Sequence, residues 1–285
     1  MIKFLFGFFC ALTFGAVSVT AQDLPFRVIA LKGEAHYGSS VKGATNPLKT
    51  GMEIPVGSVI KTADKTDLML QQKGTFNIFQ VKPASLIRVD NSKLVGPGEL
   101  QTGVHVNKGT ILFNAAKTKG NGKFELDSPL AVGSVRGTQG YVALIISAPF
   151  TPSSVAGVPK GATLIVYTAQ GVVAWSAKNG VMSYKEVIDE GKGMKIPKSI
   201  VKAMFEFQQN GALTSLAKGQ AFLFIPEDGG DKDLLWDEPD MTAFANLINS
   251  LSEAGFFSGP PPFGPSMTPG EELDTQNTES SPVVP

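Results

Sequence analysis

The sequence holds a single cysteine, Cys10, inside an apolar N-terminal run. A chain processed behind that run carries no thiol, which excludes disulfides, cysteine-ligated zinc and thiol catalysis together. Histidine is nearly as scarce. His36 and His105 are far apart in sequence, and each alternates with apolar neighbours on a strand, the setting of a surface residue rather than a ligand. No H-E-x-x-H occurs, and no calcium loop of EF-hand spacing. Gly133-Ser134-Val135-Arg136-Gly137 lacks the glycine two residues before the serine that a nucleophile elbow needs. Gly191-Lys192-Gly193 is too short for a phosphate loop. Two tryptophans, Trp175 and Trp236, leave little material for a sugar-stacking platform. Carboxylates are the remaining route to catalysis. Glu125 and Asp127 lie two apart, on one face of a candidate strand. Such a pair suits a polysaccharide-cleaving enzyme, but two acids on one strand are common without chemistry. The expectation is a non-enzymatic protein with no catalytic, cofactor or metal residue, a carbohydrate-active enzyme being the remote alternative.

Long apolar runs are missing after the N-terminus. Lys3 supplies a small positive n-region, an apolar stretch runs from Phe4 to about Val17, and Val19-Thr20-Ala21 is a small-residue cleavage site. The stretch is shorter than the ~20 apolar residues a bilayer needs. Residues 1–21 are therefore expected to be a signal peptide, and Phe8-Phe9 before Cys10 argues against lipidation. The product is expected to be exported, periplasmic or extracellular, with no transmembrane span after cleavage.

A net charge of zero conceals an asymmetry. From Gln22 to Pro226 there are 23 Lys and Arg against 13 Asp and Glu, a net +10; from Glu227 onward 12 acids face Lys232 alone, a net −11. A basic body and an acidic tail are separate objects. The plain consequence is solubility; the sharper one is a basic face for anionic glycan or lipid headgroups, shielded by the tail.

Period-2 alternation dominates the body. Ile29, Leu31, Gly33, Ala35 and Tyr37 share one face, and Lys32, Glu34 and His36 the other. Thr66–Gln72 and Thr75–Val81 read as strands joined at Lys73-Gly74. Leu86–Val89, Val104–Val106, Ile111–Phe113 and Phe124–Leu126 continue the series. Tyr141–Ile146 and Thr163–Tyr167 are apolar enough to be buried on both faces. Asn179-Gly180 between Val173–Ala177 and Val181–Tyr184 signals a type I′ hairpin. Short strands with turn signals roughly every 8–12 residues predict an all-β sandwich, with a β-helix as the alternative. From Pro197 the spacing of Ile200, Ala203, Met204 and Phe207 predicts a helical extension over 197–226, with Ala221–Ile225 as a closing strand or packed segment. Residues 227–257 form an acidic segment with a second helix over Met241–Glu253. Asp240 caps it, and Met241, Phe244, Ile248 and Leu251 share one face, suited to docking on the body or to binding a partner. From Ser258 the chain is Pro, Gly, Ser, Thr and acid, a composition predicted to be disordered.

The stretch Asp127-Ser128-Pro129-Leu130-Ala131-Val132-Gly133-Ser134-Val135-Arg136-Gly137-Thr138 resembles the FecR-domain signature, in which Thr-Pro leads into Val-Arg-Gly-Thr. Further pieces of that pattern stand in order. They are Lys32-Gly33-Glu34-Ala35, the segment from Leu48 through Ile54-Pro55-Val56-Gly57-Ser58 to Thr62, Val106–Ile111, Gln170-Gly171-Val172-Val173 and Glu190–Met194. Together they cover about Arg27 to Ile196. Two positions depart from it: Ser128-Pro129 replaces Thr-Pro, and Gly140 stands where the family has an aromatic, with Tyr141 one place later. The resemblance implies a jelly-roll-like FecR domain over 27–196. It makes Ser128, Pro129, Val135, Arg136, Gly137 and Thr138 the family motif, chiefly structural. Arg136 is expected to be a partly buried clamp with Glu125 and Asp127 as candidate partners. The family's best-known members are regulators with a membrane helix and a cytoplasmic anti-sigma segment. Neither is expected here, so what the resemblance implies is an exported interaction module. Its partner would be an envelope or surface protein, or an anionic cell-wall or surface polysaccharide; no nucleic acid and no cofactor are expected.

Overall fold

The computed structural model describes residues 21–117, 119–135, 137–146, 161–178, 181–187, 206–207, 213–216, 220–226 and 239–255. Residues 1–20, Arg136, Asn179-Gly180, residues 188–205 and residues 256–285 are among those outside them. The strands in chain order are β1 (Gln22–Asp23), β2 (Phe26–Lys32), β3 (Ala35–Gly38), β4 (Asn46–Pro47), β5 (Glu53–Ile54), β6 (Val59–Thr62), β7 (Asp67–Gln72), β8 (Ile78–Val81), β9 (Leu86–Gly96) and β10 (Glu99–Ala115). They continue with β11 (Lys123–Asp127), β12 (Ala131–Val135), β13 (Thr138–Ile146), β14 (Ala162–Gln170), β15 (Val173–Ala177), β16 (Val181–Val187), β17 (Glu206–Phe207), β18 (Leu213–Leu216) and β19 (Gln220–Pro226). One helix follows, α1 (Met241–Glu253). None of the described helix is long and apolar enough to cross a membrane.

The strands form two sheets. Sheet A runs β4-β3-β6-β9-β10-β11-β12-β15-β18, with β1 extending the β6 side of β9. Sheet B runs β5-β2-β7-β8-β10-β13-β14-β19-β16-β17. The long strand β10 belongs to both: its first half pairs with β9 and β11, and from Gly109 onward it pairs with β8 and β13. Gly109 has φ of 89°, and a Cβ there would collide with Ser85. Only glycine lets the strand turn from one sheet into the other at that point.

The sheets pack face to face over a single core, as their ring contacts show. Phe124 of sheet A stacks on Phe79 of sheet B at 5.5 Å and meets Phe113 at 6.1 Å, while Trp175 meets Phe224 at 6.2 Å. Each such fully buried side chain contributes roughly 1.5–3 kcal/mol of transfer free energy. A buried polar bridge also ties the layers: Gln72 Oε1 accepts from Asn77 and from Thr102, and Gln72 Nε2 donates to Ser92 Oγ at 2.9 Å. The chain is therefore an all-β sandwich curled about β10. A β-helix, the alternative, needs stacked parallel ladders; among the described strands only β10–β11 is parallel.

Four expectations need correcting. Residues 29–37 are not one strand: a bulge falls between Val28 and Ala30, and at Gly33, φ 92°, the chain leaves sheet B for sheet A. Val104–Val106 and Ile111–Phe113 are halves of the single strand β10. Val173–Ala177 and Val181–Val187 do not form a hairpin ladder, because β15 pairs with β12 and β18 in sheet A and β16 with β19 in sheet B. In 197–226 the described residues of the expected helix, Glu206–Phe207, are strand β17 paired with β16, and β18 pairs with β15, while the closing strand expected at Ala221–Ile225 forms as β19 on β14. At β17 a long-range ladder with β16 outweighs the local 3.6-residue pattern. The helix at Met241–Glu253 forms with its Asp240 cap, whose side chain accepts from Ala243 N at 2.9 Å. Its Phe244 and Ile248 are buried on the outer face of sheet B.

Candidate functional site

The signature residues lie on β11, β12 and the start of β13, in the middle of sheet A and at its passage to sheet B. On β11, Phe124 and Leu126 face the core, which leaves Lys123, Glu125 and Asp127 on the outer face. Ser128 closes the turn to β12. Its N–H donates to Ala131 O at 3.0 Å, and its hydroxyl accepts from Leu130 N at 3.2 Å and Ala131 N at 3.0 Å. Serine thus supplies the hydroxyl a threonine would, and Pro129 presets the turn.

Gly133 faces Trp175, and a Cβ there would lie 2.7 Å from the indole ring. Val135 is buried opposite Phe124. Gly137 has φ of 59°, and Thr138 Oγ1 donates to Val172 O at 3.1 Å. Gly140 sits at a register shift between β13 and β14, where a Cβ would collide with the Tyr167 carbonyl. Tyr141, the next residue, faces away from the main core and stacks on Tyr167 at 5.0 Å beneath α1. The described signature residues thus act as turn, packing and register elements. Arg136 lies outside the described residues.

The candidate Arg136 partners have other company on the outer face. Glu125 pairs with Lys123 at 2.9 Å. Asp127 is more deeply set and more elaborately held. His105 Nδ1 lies 2.8 Å from its Oδ2, and Lys178 Nζ donates to its Oδ1 and, at 3.0 Å, to Ser128 O. Lys178 N also donates to Leu130 O at 2.8 Å, so this lysine fastens the signature hairpin twice over. Burial opposes charge on Asp127, but hydrogen bonds from His105 and Lys178 outweigh it and hold the carboxyl below its ordinary range. Beside it, Arg88 and Asp90 on β9 form a two-point pair.

Asp90, His105 and Asp127 offer ligand atoms all within 4.8 Å of one another, a spacing suited to a divalent metal. The surroundings do not fit one. Asp90 already carries Arg88, Asp127 already carries Lys178, and His105 directs Nδ1 at Asp127. The cluster is a charge-compensated latch across β9, β10, β11 and the end of β15. His105 was expected to be a plain surface residue, yet its side chain is only 15% exposed. What brings it to Asp127 is the parallel β10–β11 register, in which those residues are direct partners. No local pattern announces it, because the crossover such a pair requires is β10's own second half in the other sheet. His36 is separate, on β3 beside Lys61 and Pro47.

No family model matches the chain, and no curated protein matches it. A solved structure, of a "putative anti-sigma factor" from Parabacteroides distasonis, is similar over 66% of this chain. The similarity spans 63% of that chain's length, at 10% identity and a TM-score of 0.38, too distant to carry an argument.

Proposed function

We propose that this protein is an exported, non-enzymatic FecR-like module that acts as a protein-interaction or cell-envelope scaffold, with the outer face of sheet A as its contact surface. One observation carries the reading. Three cations on that face, Arg88, Lys123 and Lys178, are each matched with a carboxylate, Asp90, Glu125 and Asp127. Over β9, β11 and the end of β15 the charges of this face alternate and neutralise one another, which suits a complementary protein better than a polyanion, a ligand that needs uncompensated positive potential. The reading is tested with a photo-crosslinking residue at the exposed, outward-facing Ser134 of the secreted full chain. A discrete protein adduct is expected; adducts from a matched position on another face, with none from Ser134, overturn it. Fractionation and N-terminal sequencing check export, with Gln22 as the expected first residue.

A second reading, binding of anionic cell-wall or surface polysaccharide, has its own observation. Lys61 and Lys108 flank Leu86 on adjacent strands at a depression of about 510 Å³ also lined by Val41 and Ser85. Among the described residues neither lysine has an ion-pair partner. Binding there falls steeply with added salt and is lost in Lys61→Glu/Lys108→Glu, whereas adduct formation at Ser134 survives.

A further inference from the structure

Lys61 and Lys108 are half of what the depression of about 510 Å³ presents. Between them stands Leu86, the cross-strand partner of both and half-buried at the start of β9. Val41, Ala63 and Ala84 complete an apolar lining around it. Val41 is 54% exposed, the most of any large apolar side chain among the described residues. It stands on a loop folded tightly against β3: Gly43 N donates to Ser40 Oγ at 3.1 Å, and a Cβ on Gly38 would collide with the Gly43 carbonyl. The floor is equally fixed. Thr62 Oγ1 accepts from Ser85 N at 2.9 Å and donates to Lys82 O at 2.8 Å, while Ser85 Oγ accepts from Thr110 N at 3.0 Å. Ala84 N donates to Ala63 O at 3.2 Å, and Ala84 is held at φ 53°, a conformation a residue with a Cβ keeps only where its surroundings impose it. A lone exposed valine needs no explanation. One that lines an apolar depression of small-ligand size, walled by fixed backbone, has a use for its exposure.

The charges narrow what enters. The backbones of Lys61 and Lys108 lie two strand spacings apart, roughly 9.5 Å, with Leu86 between them, so both long side chains can close on one anion above it. Asp64 also lines the depression, and two lysines against one aspartate leave the lining at +1. A continuous run of negative charge meets Asp64; a single anionic group between the lysines does not have to. We propose that the depression binds one anionic group joined to a compact aliphatic group, with the anion between Lys61 and Lys108 and the aliphatic part over Leu86 against Val41, Ala63 and Ala84. Carried on an envelope polysaccharide, this chemistry is an acidic sugar bearing an acyl substituent. The inference rests on the second reading above for the anion and adds the apolar half of the ligand.

The test titrates the full mature chain, at fixed ionic strength, with hexyl phosphate, inorganic phosphate and 1-hexanol, reading amide shifts by NMR. Hexyl phosphate is expected to saturate at least tenfold more tightly than either of the others and to shift the amides of Val41, Ala63, Ala84 and Leu86. Val41→Ser is expected to weaken it about fivefold through lost apolar contact, and Lys61→Glu/Lys108→Glu to abolish it. All three positions are exposed, so the fold is not at stake. Val172→Ser, at an equally exposed valine outside the lining, is expected to bind as wild type does. Hexyl phosphate no tighter than inorganic phosphate, or equal weakening by Val41→Ser and Val172→Ser, overturns the apolar half. Polygalacturonate and its O-acetylated form separate this inference from the reading beneath it. Tighter binding of the acetylated polymer, lost in Lys61→Glu/Lys108→Glu, supports both. Equal binding of the two polymers overturns the acyl requirement and leaves the polysaccharide reading standing, whereas failure of every anion to bind removes both.

Discussion

The two outer faces of the sandwich are built from the same kind of strand and share one core, yet they differ in nearly everything else. On sheet B, β13 and β14 are apolar on both sides, and the side facing away from the core carries Tyr141, Ala143, Ile165 and Tyr167 beneath α1. On sheet A, β9 and β11 alternate: every inward Ile87, Val89, Phe124 or Leu126 is followed by an outward Arg88, Asp90, Glu125 or Asp127. A strand buried on two faces reads as a continuous apolar run, and one buried on a single face reads as alternation. The contrast identifies which face the chain covers for itself and which it leaves polar, with Arg88, Lys123 and Lys178 each paired to a carboxylate.

A single substitution type, an added aspartate, gives the sharpest break between the faces. Ile165→Asp places an unpaired carboxylate under α1, where Ile165 is fully buried. It is expected to lower unfolding free energy by about 3–5 kcal/mol and to expose the apolar face to a hydrophobic dye. A loss below about 1 kcal/mol in denaturant titration would mean that α1 does not cover that face. On sheet A the largest effect belongs to the latch. Asp127→Ala leaves Lys178 and His105 without their acceptor and is expected to cost about 1–3 kcal/mol at neutral pH. The carboxyl's pKa is lower folded than unfolded, so its contribution is fully present above the unfolded value, near 3.8, and fades as pH falls through the folded one. The stability gap between wild type and Asp127→Asn is therefore expected to hold from neutral pH down to about the ordinary carboxylate range and to close below it. A gap that is constant through that range would remove Asp127 from the latch.

The residues explain what was legible in the sequence. Phe244 and Ile248 repeat at helical spacing behind a capping Asp240, so α1 was readable to its ends. Tyr141–Ile146 and Thr163–Tyr167 announced two-sided burial. Lys73-Gly74 was readable because its two strands do pair, β7 with β8, across a local turn. Asn179-Gly180 offered the strongest hairpin signal of the chain and failed, since β15 pairs with β12 and β18 and β16 with β19, strands remote in the chain. The latch was hidden for the same reason. Asp127 stood out as a candidate partner of Arg136, but its described partners His105 and Lys178 come from β10 and the end of β15, brought together by a register no short window contains. Local chemistry was visible and long-range pairing was not.

Two smaller effects refine the comparison. Asp240→Ala removes one cap from a helix that no hydrogen bond ties to the strands among the described residues. It is expected to weaken α1 by about 1 kcal/mol, read as faster amide exchange in 241–253 with strand exchange unchanged. Equal acceleration in β14 would show that helix and sheet open as one unit. The smallest change is expected from Ser134→Asp, the sheet A counterpart of Ile165→Asp. Ser134 is exposed on β12 opposite Glu125, which Lys123 already accompanies. The added charge meets solvent and a partly compensated neighbour, so its effect is expected to stay within about 0.5 kcal/mol. If Ser134→Asp instead destabilised the fold by several kcal/mol, the outer face of sheet A would have to be covered in the folded chain, and with it the contact surface assigned there would be lost to solvent and partner alike.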